Sequence, residues 1–412
     1  MGRIFKRLLD LRLAPGRSAF LWGPRRVGKS FWVRQTLPDA TLIDLLQSDV
    51  FAEYAARPAL LRERYRERRP KLIVIDEIQK LPMLLDEVHW LIENAGLSFL
   101  LTGSSARKLR RGHANLLAGR AWRRTMVPLC AAEIDDLDLE RAMVSGLLPP
   151  HYTSPEPREE LRAYVGDYLR EEVAGETLVR NLPAFAEFLR VAALTSSELL
   201  NYTNVARETG VSAKVVRTYF DILEDTWLGF RVPPWQKSRR RRLIETEKFF
   251  LFDVGVTNFL ARRQPRPGSA EFGKSFEHWV LMELRAWQAY RQPDTPICFW
   301  RTSTGQEVDF VVGDMQLAIE VKGTARVHEG DLRGVRVLHE ESRVRRTVVV
   351  CLEREPRRVG REIEVLPWRT FVDRLWAGTW ASEPRANCRA DRRRPQRPHR
   401  LDGPRLISLA SQ

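Results

Sequence analysis

Apolar and polar positions follow three rhythms along the chain. In the first hundred residues the runs SAFLWG (18–23), KLIVID (71–76) and SFLLTG (98–103) are nearly unbroken and close on Gly, Asp or Thr-Gly. Such runs predict parallel strands buried on both faces, with polar groups delivered at their carboxyl ends. The segment SFWVRQTL, just after the first run, predicts a helix. Past the Pro/Ser-rich stretch SGLLPPHYTSPEP the spacing turns helical, with Leu161, Val165, Tyr168, Leu169 and Val173 on one face. TNVARET then predicts a short helix ending at Gly210, and Ser212 caps a second helix over 213–224. Two strand-like runs follow, LGFRVPP and EKFFLF, flanking a very basic hairpin. In the last part, EFGKSFEHWVLMELRAWQAY predicts a strong amphipathic helix. QEVDFVV and AIEVKG alternate as strands, joined by a turn at Gly313-Asp314. The opening MGRIFKRLLDLRL predicts a weak amphipathic helix, because acids and arginines interrupt what a signal peptide would keep apolar.

The chemistry is densest at the strand ends. GPRRVGKS fits the G-x-x-x-x-G-K-[ST] pattern, in the strand–loop–helix context that the pattern requires. Gly23 and Gly28 let the backbone through Pro24, Arg25, Arg26 and Val27 curl, so that its N–H groups face nucleotide phosphates. Lys29 offsets charge on the β- and γ-phosphates, and the Ser30 hydroxyl ligates Mg²⁺. Asp76, ending KLIVID, is placed to hold the Mg²⁺ through water; Glu77 is placed to orient and deprotonate an attacking water. Thr102, Ser104 and Ser105 end the third run, where a γ-phosphate sensor belongs. Three strands in this order with this terminal chemistry point to an ATPase domain.

Two further constellations lie downstream. The two helices around Gly210 have helix-turn-helix spacing, and the second offers Lys214 and Arg217 to a groove. With Lys237 and Arg239–Arg242 in the hairpin as a basic wing, the unit reads as a winged helix, used either on DNA or for protein contacts. In the C-terminal part, Asp309 lies within one strand, while Glu320 and Lys322 share a face of the next because strand side chains repeat every second residue. The acids interrupt otherwise apolar strands, where an unpaired charge is costly. Asp309 and Glu320 are therefore candidate Mg²⁺ ligands, with Lys322 positioning or deprotonating water and Glu277 adding a ligand from the preceding helix. Asp253 and Gly255 read as structural, shaping a turn into a helix.

GPRRVGKS, LIVIDEIQKLP, LLTGSSARKL and LLAGRAWRRTMVPLCAAEI together resemble a widespread prokaryotic family of AAA-type ATPases, over about residues 15–378. In that family the ATPase is followed by a winged helix and a C-terminal domain similar to restriction endonucleases. The resemblance implies an α/β multidomain fold: a P-loop AAA-type domain over 1–145, a helical connector over 146–195, a winged helix over 196–262 and a restriction-endonuclease-like α/β domain over 263–380. It implies ATP rather than GTP. It also implies Arg120 as the arginine that senses or stabilises the γ-phosphate, in cis or from a neighbour, with Arg107 as second candidate. An arginine supplied in trans implies a homo-oligomer or a partner protein. The order helix-Glu, strand-Asp, strand-Glu-x-Lys agrees with a nuclease-like domain. Whether that domain cleaves DNA or serves as a binding surface stays open.

Composition narrows the partners. The formal net charge of +15 and pI near 10.1 favour a polyanion, nucleic acid first and DNA by preference. Eight arginines against three acids place about +5 of that charge in residues 381–412, a Pro/Arg-rich tail that reads as disordered. No apolar run reaches the length of a membrane span. Cys130, Cys298, Cys351 and Cys388 lie far apart and form neither a zinc nor a disulfide pattern, which fits the reducing cytoplasm. The rival reading is a nucleotide-operated switch that binds an acidic protein partner and carries an inactive nuclease-like domain.

Overall fold

The early apolar runs become strands of a parallel sheet. In the computed structural model, which describes residues 3–13, 16–105, 117–168, 181–236 and 246–380, β1 (Ser18–Trp22), β2 (Thr41–Asp44), β3 (Ile73–Asp76), β4 (Phe99–Gly103) and β5 (Ala121–Thr125) lie in the order β2-β3-β4-β1-β5. Every pairing in it is parallel, so all five carboxyl ends share one edge. Alternation decides the two faces. Ala19, Leu21, Val74 and Leu100 enter a core shared with the middle helices, while Phe20, Trp22, Ile75 and Leu101 pack under the helix Leu84–Ala95.

Residues 3–13 form no helix, contrary to the expectation for the N-terminus. Tertiary contacts outbid a weak local preference. Arg7 is buried and donates to Val127 O at 2.6 Å and Glu133 Oε2 at 2.9 Å, while Phe5 and Leu9 enter two different cores.

In the middle of the chain, helices Tyr202–Thr209 and Ala213–Asp225 meet at Gly210, whose φ of +67° suits glycine, and Ser212 Oγ accepts the Val215 N–H at 3.3 Å. Lys214 and Arg217 are exposed on the second helix, and Arg217 lies 4.7 Å above the Tyr202 ring. β6 (Gly229–Val232) pairs antiparallel with β7 (Lys248–Leu251). The basic hairpin residues Lys237 and Arg239–Arg242 lie outside the described residues, as do Arg107, Leu169, Val173 and the tail. Asp253 caps the helix Val254–Leu260 through the Val256 N–H at 3.0 Å and reaches back to the Leu147 N–H at 2.7 Å. A Cβ on Gly146 would stand 2.1 Å from its carboxylate.

The C-terminal part holds β8 (Ile297–Arg301), β9 (Glu307–Val312), β10 (Leu317–Val321), β11 (Thr347–Cys351), β12 (Arg357–Val359) and β13 (Ile363–Pro367), in the order β12-β13-β11-β10-β9-β8. β10, β11 and β13 run parallel and the other pairings antiparallel. The long helix Ala270–Arg291 covers one face with Phe276, Trp279 and Val280, and the helix Arg333–Glu341 covers the other with Val335 and Leu338. Apolar packing crosses the expected junctions at 145 and 262. Met143, Leu147, Tyr152 and Val254 share one core with Phe276 and Trp279. No helix among the described residues is long and apolar enough to cross a membrane.

Candidate nucleotide site and a buried carboxylate cluster

The phosphate loop sits where β1 ends and the helix Lys29–Thr36 begins, at the carboxyl edge of the parallel sheet. Its shape depends on two glycines. Gly23 has φ +151°, and a Cβ there would lie 2.2 Å from the Met126 carbonyl oxygen; Gly28 has φ +96°. Pro24 and Val27 are buried, Arg25 and Ser30 are half-buried, and Arg26 is exposed with φ +63°. Lys29 is only 5% exposed, and its ammonium donates to Gly23 O at 2.7 Å and Pro24 O at 2.9 Å, so it lies curled within the loop that would receive phosphate.

The acids predicted at the neighbouring strand end are there. Thr102 Oγ1 on β4 donates to Asp76 and accepts the Glu77 N–H at 3.3 Å, joining the expected sensor strand to both acids. Glu77 adopts a left-handed backbone, φ +60°, a conformation that non-glycine residues hold mainly where surroundings impose it. Gln79 Nε2 donates to Glu77 Oε2 and to Ser104 Oγ at 3.1 Å. Burial raises the Glu77 pKa, an effect that Lys29 opposes, and a raised carboxylate suits a base working near neutrality. Gln79 Oε1 and Ser105 Oγ are buried without a hydrogen-bond partner among the described residues. That unused polar capacity fits a phosphate or a hydrated cation.

Sequence reasoning passed over three residues here. Asp44 ends β2 directly across from Asp76 and pairs with Arg34 at 3.1 Å. Gln79 is visible in the sequence only as one polar residue after an acidic pair. Arg7 donates to Val27 O at 2.5 Å and to the Tyr290 hydroxyl at 2.9 Å, which ties the phosphate loop to the long C-terminal helix. No local pattern announces it.

Arg120 is placed away from the loop. Ser18 pairs with Ala121 and Trp22 with Thr125, so the phosphate loop lies at one end of the β1–β5 pair and Arg120 precedes the other. Its guanidinium pairs with Glu93. In this arrangement Arg120 does not reach its own chain's phosphate loop.

The four C-terminal candidates do come together, around a fifth residue. A bulge sets Asp309 and Phe310 opposite Phe299, and Asp309 Oδ2 accepts the Val321 N–H at 2.7 Å. Glu320 pairs with Lys322 at 2.7 Å and leaves its Oε2 buried without a partner. Lys248, entering from β7, is 3% exposed; its ammonium stands 3.2 Å from Glu277, contacts Glu307 and acts electrostatically on Asp309. Burial, reinforced by Asp309, pushes Glu277 up to about 7, and burial raises Asp309 and Glu320 as well. Among the described residues no three of His, Cys, Asp and Glu converge closely enough to hold a metal ion. Lys248 supplies the positive charge at the Glu277 end of this cluster. The sequence hint was one lysine heading an otherwise apolar strand, KFFLF.

Comparison with known proteins bears on the N-terminal part of the chain. Residues 16–135 match the family described as AAA domain, residues 136–266 match Domain of unknown function (DUF8612), and residues 272–371 match Domain of unknown function (DUF4143). An uncharacterized protein of Methanocaldococcus jannaschii is 21% identical over 353 residues, 77% of each chain. Among solved structures, the Bacillus subtilis DNA clamp loader delta protein is matched over 52% of this chain and 84% of its own, at 13% identity and TM-score 0.22. The AAA-domain match supports a nucleotide-binding, AAA-type ATPase assignment for the N-terminal part.

Proposed function

We propose that the protein binds and hydrolyses ATP with Mg²⁺ and uses nucleotide state to control its engagement of nucleic acid, DNA by preference. The observation that carries this is the sheet edge itself: Lys29 curls within its loop and acts electrostatically on Glu77, while Thr102 joins Glu77 to Asp76 at the strand ends. Lys29 and the loop N–H groups would bind the phosphates, Ser30 and Asp76 would hold the Mg²⁺, and Glu77 would take the proton from the attacking water. Arg120, unable to serve its own loop here, is assigned to the site of a neighbouring copy or partner protein. The exposed Lys214 and Arg217, with the basic hairpin, are assigned to phosphate contacts as a winged helix.

A specific observation favours a second reading for the C-terminal part. Lys248 already neutralises the Glu277 end of the carboxylate cluster, which suits an inactive nuclease-like domain that docks rather than cuts, as in a nucleotide-operated adaptor. The experiment that separates these measures phosphate release and plasmid nicking together. Parent, Lys29→Ala and Glu320→Ala proteins are incubated with supercoiled plasmid, ATP and Mg²⁺. Phosphate release unchanged in Lys29→Ala would overturn the ATPase proposal. Nicking by the parent and none by Glu320→Ala supports a working nuclease; no nicking under varied metal supports docking.

A further inference from the structure

The segment 136–266 contains the site that we infer next. Four helices, Leu139–Ser145, Pro157–Ala163, Leu182–Leu194 and Val254–Leu260, together with the loop after the last, line an open cavity of about 700 Å³. That volume lies within the range of small-ligand sites. Five arginines line it: Arg158, Arg190, Arg262, Arg263 and Arg266, and no Asp or Glu lines it among the described residues. Phe259 and Leu161 supply an apolar floor.

The five arginines are not equally committed. Arg190 pairs with Glu187 at 2.6 Å, and Arg263 donates to the Leu194 carbonyl at 2.7 Å, so these two are spoken for within the fold. Arg158, Arg262 and Arg266 are exposed; Arg262 also lies within the field of Glu187, the partner of Arg190, and none of the three is within ion-pair distance of an acid among the described residues. Three exposed guanidiniums gathered around one concavity, with no acid lining it, gain from an anion that bridges them. The planar fork of arginine recognises phosphate oxygens two at a time. A half-buried aromatic ring within the same cavity offers a base a face to stack on.

We propose that this cavity binds the phosphodiester backbone of a nucleic-acid single strand, with Arg158, Arg262 and Arg266 as its phosphate contacts and Phe259 as its stacking surface. The inference rests on the nucleic-acid reading above and assigns it a second contact region, apart from Lys214 and Arg217. The cavity is also wired to the nucleotide site. Arg26 of the phosphate loop pairs at 2.9 Å with Glu160 of the helix that carries Arg158 and Leu161, and lies 6.0 Å from the Tyr164 ring. Rearrangement of that loop around a nucleotide would move a wall of the cavity.

The test titrates the full chain into a fluorescein-labelled 20-nucleotide oligodeoxythymidine, by anisotropy across a salt series. Four proteins are compared: the parent, R158A/R262A/R266A, K214A/R217A, and R66A/R68A/R69A, which loses equal charge from an exposed helix end elsewhere. Melting curves confirm that each is folded. The expected result is a loss of tenfold or more in affinity for R158A/R262A/R266A, with a salt slope shallower by about 2, since each single-strand phosphate contact contributes about 0.7. R66A/R68A/R69A is expected to bind as the parent does. If R158A/R262A/R266A binds as tightly as the parent while K214A/R217A weakens, the cavity assignment is overturned and the wider reading stands. If the parent binds no oligonucleotide at low salt, both fall. Equal losses from R158A/R262A/R266A and R66A/R68A/R69A would also overturn the cavity, by reducing its effect to net charge. So would an R158A/R262A/R266A protein that loses binding to polyglutamate and keeps the oligonucleotide, which would identify an acidic protein ligand.

Discussion

Lys248→Met removes one charge from a buried ionic cluster while keeping an unbranched side chain of similar length. The Lys248 side chain is 3% exposed and its ammonium stands 3.2 Å from Glu277, with Glu307 and Asp309 also within its field. At an effective dielectric of ~20, a single pair at that separation is worth about 5 kcal/mol of Coulomb attraction. Desolvation of both partners cancels much of that while the pair is intact. Removing only the cation leaves Glu277 desolvated and uncompensated, while Glu307 keeps Arg301 and Asp309 keeps Lys322, at a cost of about 3–5 kcal/mol. The cost depends on pH. Burial and Asp309 favour the protonated form of Glu277 and push its pKa up to about 7, and without Lys248 its folded-state pKa rises further. A carboxyl whose folded pKa is raised gives stability that is complete below its unfolded pKa and lost as pH rises through the folded value. The penalty for Lys248→Met is therefore smallest near pH 5 and grows toward pH 8, by up to about 1.4 kcal/mol per pH unit for each proton involved. Urea midpoints followed by tryptophan fluorescence at pH 5, 6, 7 and 8 measure this, with Lys248→Met/Glu277→Gln as the companion variant. The double variant should recover part of the loss at pH 8. A cost below about 1 kcal/mol that does not change with pH would refute the reasoning, because it would mean that water, not Lys248, compensates these carboxylates. Adding Mg²⁺ extends the test: stabilisation of Lys248→Met by Mg²⁺ that the parent lacks would show that the lysine stands where a cation can bind.

Four other predictions follow from the same geometry. Glu77→Gln should lower ATP turnover by about 10²–10⁴-fold while nucleotide binding persists, measured by phosphate release beside binding of a fluorescent ATP analogue. Gly23→Ala must fit a Cβ 2.2 Å from the Met126 carbonyl, so it should cost about 1–3 kcal/mol in thermal stability and abolish nucleotide binding, both read from melting curves with and without ATP. Glu283 is fully buried, accepts the Ala131 N–H at 2.7 Å and is pushed by burial up to about 8. Its raised pKa predicts stability lost between about pH 4.5 and 8, a loss that Glu283→Gln should remove, seen as a flatter dependence of Tm on pH. Arg120→Ala should lose turnover alone and regain it when mixed with Lys29→Ala protein, since each then supplies what the other lacks; parent-level turnover by Arg120→Ala alone would remove it from the site.

The sequence by itself determined what is local. GPRRVGKS could be read because its two glycines, its lysine and its serine each answer a demand of phosphate chemistry at fixed spacing, and Gly23 and Gly28 do take the backbone conformations that those demands require. Asp76 and Glu77 could be read because a buried parallel strand announces itself by unbroken apolar residues and releases its acids at one end. Glu320 and Lys322 could be paired because strand side chains repeat every second residue, and the two meet at 2.7 Å. The N-terminal segment misled because its short-range pattern was weak and Arg7 had partners more than a hundred residues away. The tertiary structure alone decided where separate elements meet. It put Lys248 of β7 among carboxylates of the C-terminal part, and set Arg120 at the sheet end opposite the phosphate loop. It also gathered five arginines from three segments around one cavity. These are contacts between groups far apart in sequence, and no periodicity records them. A desolvated charge must find its counter-charge wherever the folded chain brings one, so such partners become visible only when the chain has folded.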